Sequence, residues 1–233
     1  MVRGKLRVVA EIPNAEAPMT VNYAEARERM VQEQLAGRGI KDPRVLASMS
    51  RVPRHLFVGE ELRDQAYDDH PLPIGNGQTI SQPYMVALMV EALGLKGEER
   101  VLEVGTGSGY EAAILAELCG QLFTIELVEE LALRARIELA NLGYRNVSIQ
   151  VSDGTLGWDQ HAPYDAVVIS AAAPCIPRPL LDQLTPGGCI ILPMGEEELQ
   201  SLVRIRKEGG RLREEYLGEC RFVKLLGTYG WNS

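Results

Sequence analysis

The 233-residue sequence lacks several features that would assign it to particular classes of protein. It has no apolar stretch near the ~20 residues that span a bilayer, and its first residues lack the apolar core of a signal peptide. The four cysteines include no C-x-x-C pair, and most lie in apolar segments, where a thiol usually behaves as a small hydrophobic group. We therefore expect a reduced, cytoplasmic protein with no membrane segment and no structural metal.

The chain also has little positive charge. It carries 24 Lys and Arg against 32 Asp and Glu, a formal net charge of −8. Proteins that bind nucleic acids commonly have a basic face, and Arg51, Arg54 and His55 are too few to form one. We expect no nucleic-acid partner. The sequence does not reveal the oligomeric state, and a monomer is favoured.

The most informative stretch is a glycine-rich turn between a predicted strand and a predicted helix. The β-branched segment 101–104 is followed by glycines at alternate positions from Gly105 to Gly109, and an apolar helix begins near 112. Such a turn lets the backbone approach a ligand beside a helix N-terminus. A dinucleotide-binding fingerprint would need a further glycine where this chain has Tyr110.

Carboxylates follow the next predicted strands. The strand 122–125 ends at Glu126, close to the ~20 residues after the glycines at which an acidic side chain typically binds ribose hydroxyls. Asp153 follows the predicted strand Val147–Val151, and residues 166–170 predict a further strand. This order is similar to that of S-adenosylmethionine-dependent methyltransferases. Any doubly wound nucleotide-binding domain remains the alternative.

Alternating helix and strand patterns predict an α/β fold with a mostly parallel, doubly wound sheet, Rossmann-like, as in the S-adenosylmethionine-dependent methyltransferases. Helices are predicted over 23–37, 44–50, Pro83–Leu93, 128–142 and 178–184, a strand over 189–192, and a C-terminal antiparallel hairpin over 202–217. We expect residues 1–22 to form an irregular arm and 23–233 a single domain. Its parts are a helical flank with a substrate loop (23–98), a cofactor-binding core (99–195) and C-terminal strands (196–233).

Two prolines bracket a polar segment, residues 71–83, whose length and glycines favour a substrate-binding loop. Ser81 lies just before the predicted helix Pro83–Leu93. From residue type and position alone, its simplest role is an N-cap that accepts a hydrogen bond from a first-turn amide. His55 and His70 are candidate bases, although each is more often a structural histidine.

Longer motifs resemble one family, the protein-L-isoaspartate (D-aspartate) O-methyltransferases. In chain order they are VPRHLFV at 52–58, PLPIGNGQTISQPY at 71–84, EVGTGSGY at 103–110, Asp153-Gly154, residues 162–166, 183–184, 187–188 and 193–195, and Arg221-Phe222-Val223. The resemblance covers roughly residues 23–227. Ser152, Glu111 and Lys224 depart from the glycine, glutamine and proline that are usual in the family.

The resemblance implies methyl transfer from S-adenosyl-L-methionine to the free carboxylate of L-isoaspartyl and D-aspartyl residues in damaged proteins and peptides. The methyl ester then closes to a succinimide, which initiates repair. A carboxyl group with a pKa near ~4 is already ionised at neutral pH, so the reaction requires no general base. Ser81 would be the catalytic serine, a donor that positions the substrate carboxylate and forms no covalent bond to it.

The resemblance also implies the binding residues. The cofactor would be bound by Glu103 near its amino group, by the turn residues Gly105, Thr106, Gly107, Ser108 and Gly109, by Glu126 and Leu127 at the ribose, and by Asp153 and Gly154 beside the adenine. The substrate would be bound by Thr79, Ile80, Ser81, Gln82, Arg221, Phe222 and Val223. We expect truncation before Arg221 to abolish methylation and to leave cofactor affinity nearly intact.

Two other functions are compatible with the fold. A related methyltransferase acting on tRNA would need a basic face and would not need the segment 79–82. A non-catalytic protein could also use this fold, since a fold does not fix a function, but the loop and cofactor motifs are both intact.

Overall fold

The computed structural model describes residues 21–232 of the chain. The strands are β1 (Leu72–Gly75), β2 (Gln78–Ile80), β3 (Arg100–Val104), β4 (Gln121–Glu126), β5 (Val147–Val151), β6 (Tyr164–Ile169), β7 (Leu184–Gly195), β8 (Gln200–Glu208) and β9 (Arg211–Cys220). The α-helices are α1 (Tyr23–Arg29), α2 (Pro43–Arg51), α3 (Pro83–Leu93), α4 (Tyr110–Ala116), α5 (Glu129–Asn141) and α6 (Arg178–Asp182).

Seven strands form the main sheet in the order β5-β4-β3-β6-β7-β8-β9. The first five of these are parallel to their neighbours, and β8 and β9 add an antiparallel hairpin at one edge. The chain moves from β3 through β4 to β5 and then crosses back to β6 on the other side of β3. The order therefore reverses at β3, and the carboxyl ends of strands at such a point form a crevice where ligands bind.

Successive residues of the central strands face two apolar layers, as the pleat requires. Val101, Val168 and Ile191 join the cluster that contains residues of α2–α5. Leu102 and Ile190 join the cluster on the opposite face, which includes the apolar side of α6. Because both faces of the sheet are covered, strand β3 is buried almost throughout, as is typical of a central parallel strand.

The predicted α/β fold is confirmed, including the parallel sheet, the N-terminal helices and the C-terminal hairpin. The helices predicted over Pro83–Leu93 and 128–142 lie where the periodicity placed them, with the second running over Glu129–Asn141. The helix predicted over 23–37 changes type along its length. It continues beyond α1 as a π-helical segment over Met30–Leu35 and a 3-10 turn over Ala36–Arg38.

Two local predictions need correction. The segment 71–83, predicted as a loop, contains the antiparallel pair β1–β2, in which Leu72 lies opposite Ile80. Helix α6 is shorter than predicted, because β7 begins at Leu184 and continues well past the four residues predicted for it. Residues 221–226, which the pattern predicts as a further strand or an ordered extension, form an extension in which Lys224 bridges Ala172 and Leu226 bridges Trp231. The predicted irregular arm lies almost wholly outside the described residues.

No helix within residues 21–232 has the length and apolar character needed to cross a membrane.

Candidate functional site

A cavity opens at the carboxyl ends of β3, β4 and β6, where the strand order reverses. This inner cavity encloses about 880 Å³ of empty space, open mouth included. Its walls are the glycine turn 105–108, the end of β4 with Glu126, Leu127 and Val128, the loop 78–81, Gly154, Tyr110 and Glu111, Ser170 and Ala171, and residues 223–226.

The glycine turn is bonded to the end of the neighbouring strand. The amide of Gly105 donates to the carbonyl of Ile125 at 2.9 Å, and the amide of Gly107 donates to Oε2 of Glu126 at 2.8 Å. Gly107 has a φ of +52°, and a Cβ added there would meet the Ile74 side chain at 3.4 Å. A larger residue would therefore be strained at this position.

Glu126 occupies the position that the sequence predicts for a ribose ligand. The residue is only 6% exposed, and its carboxylate also accepts a hydrogen bond from the amide of Val128 at 2.9 Å. A carboxylate has about four lone-pair positions, so after the two backbone donors it can accept two more hydrogen bonds. Fixed by these donors, the carboxylate at the cavity wall can accept hydrogen bonds from a pair of ligand hydroxyls.

Three predicted cofactor residues lie behind the cavity wall. Glu103, Gly109 and Asp153 do not line the inner cavity. Oε2 of Glu103 accepts a hydrogen bond from Thr124, and burial, with the nearby acids Glu111 and Glu126, raises its pKa well above the ordinary value. The contact between Glu103 and the amino group of the cofactor, which the resemblance implies through a water molecule, stays a prediction.

The carboxylate of Asp153 is an anchor for the chain. It accepts hydrogen bonds from the hydroxyl of Thr155 at 2.6 Å and from the amide of Thr228 at 2.7 Å. Burial acts to raise the pKa of Asp153, but these hydrogen bonds outweigh it and lower that pKa. Asp153 thereby ties the C-terminal segment to the end of β5, while its neighbour Gly154 lines the cavity.

Glu111 is a wall residue that the sequence analysis did not assign. Its Oε2 accepts a hydrogen bond from the hydroxyl of Ser170 at 2.6 Å, and its Oε1 has no partner among residues 21–232. Burial raises its pKa to about 7, and the bond from Ser170 acts in the opposite direction. The only signal in the sequence was its departure from the glutamine usual in the family.

The raised pKa of Glu111 predicts a fold that weakens as pH rises. Between the ordinary value of 4.5 and about 7, the unfolded chain releases a proton that the folded chain still holds, so the free energy of unfolding falls. We expect the loss to be on the order of 2–3 kcal/mol, and smaller in Glu111→Gln, which cannot ionise. Urea unfolding across this pH range measures it. Parallel curves for the two proteins would contradict the assignment.

Ser81 is not the N-cap of α3, so that hypothesis is wrong. Gln82 occupies the cap position, and its side chain makes no capping bond. The acceptor for the first turn is Asp69, whose Oδ1 accepts a hydrogen bond from the amide of Tyr84 at 3.1 Å. Asp69 also pairs with Arg38. Since the carboxylate of Asp69 caps the helix, the Ser81 hydroxyl is free to contact ligands in the two cavities that it lines.

Removal of this distant cap should destabilise the protein. We expect Asp69→Ala to lower the free energy of unfolding by about 1–2 kcal/mol, because a first-turn amide of α3 loses its acceptor. Asp69→Asn keeps an acceptor oxygen and should retain most of that stability. Chemical unfolding of the two variants beside the wild type tests this. Equal losses in both would assign the effect to the ion pair with Arg38.

A second, wider opening adjoins the inner cavity. This outer groove is lined by Arg38, Pro71, Thr79, Ser81, Gln82, Tyr84, Met85, Ser170, Glu197, Glu219, Cys220 and residues 221–224. It contains all the predicted substrate residues except Ile80, which is buried and lines only the inner cavity. The two spaces share Thr79, Ser81, Ser170, Val223 and Lys224.

The C-terminal segment contributes to both spaces. The carbonyl of Val223 accepts a bond from the amide of Ala172 at 2.7 Å, and the amide of Leu225 donates to the carbonyl of Ala172 at 2.8 Å. Residues 223–226 also line the inner cavity. The structure therefore revises the truncation hypothesis, because removal of residues from Arg221 onward opens the inner cavity as well and should weaken cofactor binding.

These features define an α/β protein of the S-adenosylmethionine-dependent methyltransferase class. The family model for protein-L-isoaspartate (D-aspartate) O-methyltransferase matches residues 25–230. The chain belongs to this family.

Relatives agree over nearly the whole chain. It is 54% identical over 217 residues to a protein-L-isoaspartate O-methyltransferase of Syntrophus aciditrophicus, which covers 92% of this chain and 100% of the relative. It is 55% identical over 214 residues to protein-L-isoaspartate O-methyltransferase 2 of Geotalea uraniireducens, a match that covers 91% of this chain and 98% of the relative.

Solved structures are similar as well. One protein-L-isoaspartate O-methyltransferase superposes with a TM-score of 0.79 and 27% identity over 88% of this chain and 67% of its own. A protein of the same description from Plasmodium falciparum, in complex with S-adenosyl-L-homocysteine, superposes with a TM-score of 0.76 and 27% identity. The match covers 89% of this chain and 99% of that protein.

Proposed function

We propose that this chain transfers a methyl group to the α-carboxylate of L-isoaspartyl residues, and to the side-chain carboxylate of D-aspartyl residues, in damaged proteins and peptides. The observation that carries the proposal is the junction of the two spaces. The inner cavity at the switch point and the larger outer groove share Ser81 and Ser170 in their walls. Donor and acceptor can therefore meet at one place.

The inner cavity fits S-adenosyl-L-methionine, which supplies an activated methyl group when bound. The fixed carboxylate of Glu126 accepts the ribose hydroxyls, with Leu127 beside it, and Gly154 borders the adenine. Gly105, Thr106, Gly107 and Ser108 let the backbone approach the methionyl part. Glu103, Gly109 and Asp153 act from behind the wall, where they hold the turn and the C-terminal segment in place.

The chain needs no general base, because the acceptor is a carboxylate that arrives ionised. The chain has three histidines, and all three lie within the described residues. None of them lines the inner cavity or the outer groove, which agrees with a reaction that needs no base. His55 is bonded to the Tyr67 hydroxyl at 2.8 Å, and His161 stacks on Phe123. The work of the protein is to place the carboxylate in line and to exclude water.

The outer groove recognises the substrate by shape and hydrogen bonds. Aspartyl and isoaspartyl residues both carry a carboxylate, so charge cannot separate them. Thr79, Ser81 and Gln82 line the groove together with the segment Arg221-Phe222-Val223, and Ser81 donates to the substrate carboxylate. A site whose polar groups stay unpaired with the wrong isomer can discriminate by ~10⁴ or more.

One assay tests this function directly. Labelled methyl groups from S-adenosyl-L-methionine should appear on an isoaspartyl peptide and not on its aspartyl twin. The ester should then be lost as the succinimide forms. Equal labelling of both peptides, or labelling of tRNA alone, would contradict the proposal.

Protein substrates, with no nucleic acid and no membrane surface as partner, suit the charges of the groove. Arg38 is paired with Asp69 and Lys224 with Glu197, so among the cations that line the groove only Arg221 has no ion pair within residues 21–232. The four cysteines are free thiols, as a reducing cytoplasm allows. We expect a monomer, and light scattering during gel filtration measures the mass in solution.

A further inference from the structure

The junction of the two spaces must be the place where the methyl group crosses from donor to acceptor. Its wall consists of the shared residues Thr79, Ser81, Ser170, Val223 and Lys224. The charged centre that carries the methyl group therefore belongs near this wall on the inner side, and the substrate carboxylate belongs on the outer side.

A buried acid borders the junction from the inner side. Glu111 lines the inner cavity and not the outer groove, and it is bonded to the shared residue Ser170 at 2.6 Å. The residue is 7% exposed, and its Oε1 has no hydrogen-bond partner in the described part of the chain. Such an oxygen is costly to leave unpaired, which suits a group that meets a ligand.

The charges around Glu111 leave it without a cation of its own. Glu103 on β3 and Glu126 at the end of β4 are acids. The Arg54 guanidinium lies over the Tyr110 ring at 4.8 Å and donates from Nε to the carbonyl of Ala66, and the ammonium of Lys224 pairs with Glu197. Within residues 21–232, no arginine or lysine forms an ion pair with Glu111. Because burial raises its pKa to about 7, its charge changes near neutral pH.

The other helices packed on α4 carry charges that are engaged elsewhere. Arg51 of α2 pairs with Glu117 at the opposite end of α4, at 2.7 Å. The carboxylate of Glu91 on α3 accepts hydrogen bonds from the amides of Lys41 and Asp42. These groups do not supply Glu111 with a counter-ion.

We propose that Glu111 is a specificity-determining residue that distinguishes the cationic methyl donor from the neutral product left after transfer. Its ionised carboxylate attracts the sulfonium of S-adenosyl-L-methionine, whereas the thioether of S-adenosyl-L-homocysteine has no charge to attract. The α-ammonium group occurs in both molecules and cancels in the comparison. The inference rests on the proposed function only for the identity of the bound molecule.

The test is the ratio of two dissociation constants, that of S-adenosyl-L-homocysteine over that of S-adenosyl-L-methionine. Calorimetry of the wild-type protein from about pH 5.5 to about pH 8.5 should show this ratio rising roughly tenfold as Glu111 ionises. In Glu111→Gln the ratio should show no such rise, which also corrects for titration of the ligands themselves. In Ser170→Ala the rise should move to higher pH, because the bond that lowers the pKa of Glu111 is lost.

Each outcome decides the matter. A flat ratio in the wild type, or an equal rise in Glu111→Gln, overturns the assignment. If both ligands bind more tightly by the same factor as pH rises, the Glu111 carboxylate interacts with the α-ammonium group that they share. That result also overturns the assignment. If Glu111→Gln fails to fold, the wild-type and Ser170→Ala curves still decide. Binding does not depend on the peptide, so failure of the methylation assay with the isoaspartyl peptide is a separate result.

Discussion

Glu126→Ala should raise the dissociation constant of S-adenosyl-L-methionine by one to two orders of magnitude. The variant removes a charged acceptor of two hydroxyl hydrogen bonds, a loss on the order of 1.5–3 kcal/mol. It also frees the amide of Gly107, which donates to this carboxylate at 2.8 Å, so the glycine turn loses an anchor. The effect should therefore lie towards the upper end of that range.

Calorimetric titration measures the change, and a nearby acid supplies the control. Glu129 is exposed at the start of α5 and does not line the inner cavity, so Glu129→Ala should bind the cofactor as the wild type does. Glu126→Gln keeps one acceptor oxygen and should fall between the two. A change of less than twofold in Glu126→Ala would show that the ribose is bound elsewhere.

Ser81→Ala should lower the turnover of an isoaspartyl peptide much more than it weakens cofactor binding. The hydroxyl lines both the inner cavity and the outer groove, where it can donate to the substrate carboxylate. Loss of a hydrogen bond to a charged group costs about 1.5–3 kcal/mol, so kcat/KM should fall by at least tenfold.

The stability of the same variant separates this role from that of a helix cap. Asp69, not Ser81, accepts the bond from the first turn of α3. We therefore expect Ser81→Ala to keep the wild-type unfolding midpoint. Asp69→Ala, by contrast, should lower the unfolding midpoint. A Ser81→Ala protein that is destabilised and still turns over normally would refute the catalytic assignment.

Much of the lining of the inner cavity could be predicted because its signals are local. The glycine turn, the acid at the end of the next strand and the β-branched runs between helices each occupy a few adjacent residues. Parallel strands bring their carboxyl ends to one edge of the sheet, so Glu126 and Gly154 had to lie near the turn. The motif 71–84 likewise predicted a substrate segment, although its hairpin was not foreseen.

The sequence by itself determined the fold class, the glycine turn and the position of Glu126, because periodicity and turn chemistry act between near neighbours. Only the tertiary structure decided which polar groups are already paired. Asp69 reaches forward to cap α3, Thr228 holds Asp153 behind the wall, and Ser170 meets Glu111 across 59 positions of sequence. Such bonds depend on how distant segments pack together, and a local sequence pattern does not predict that packing.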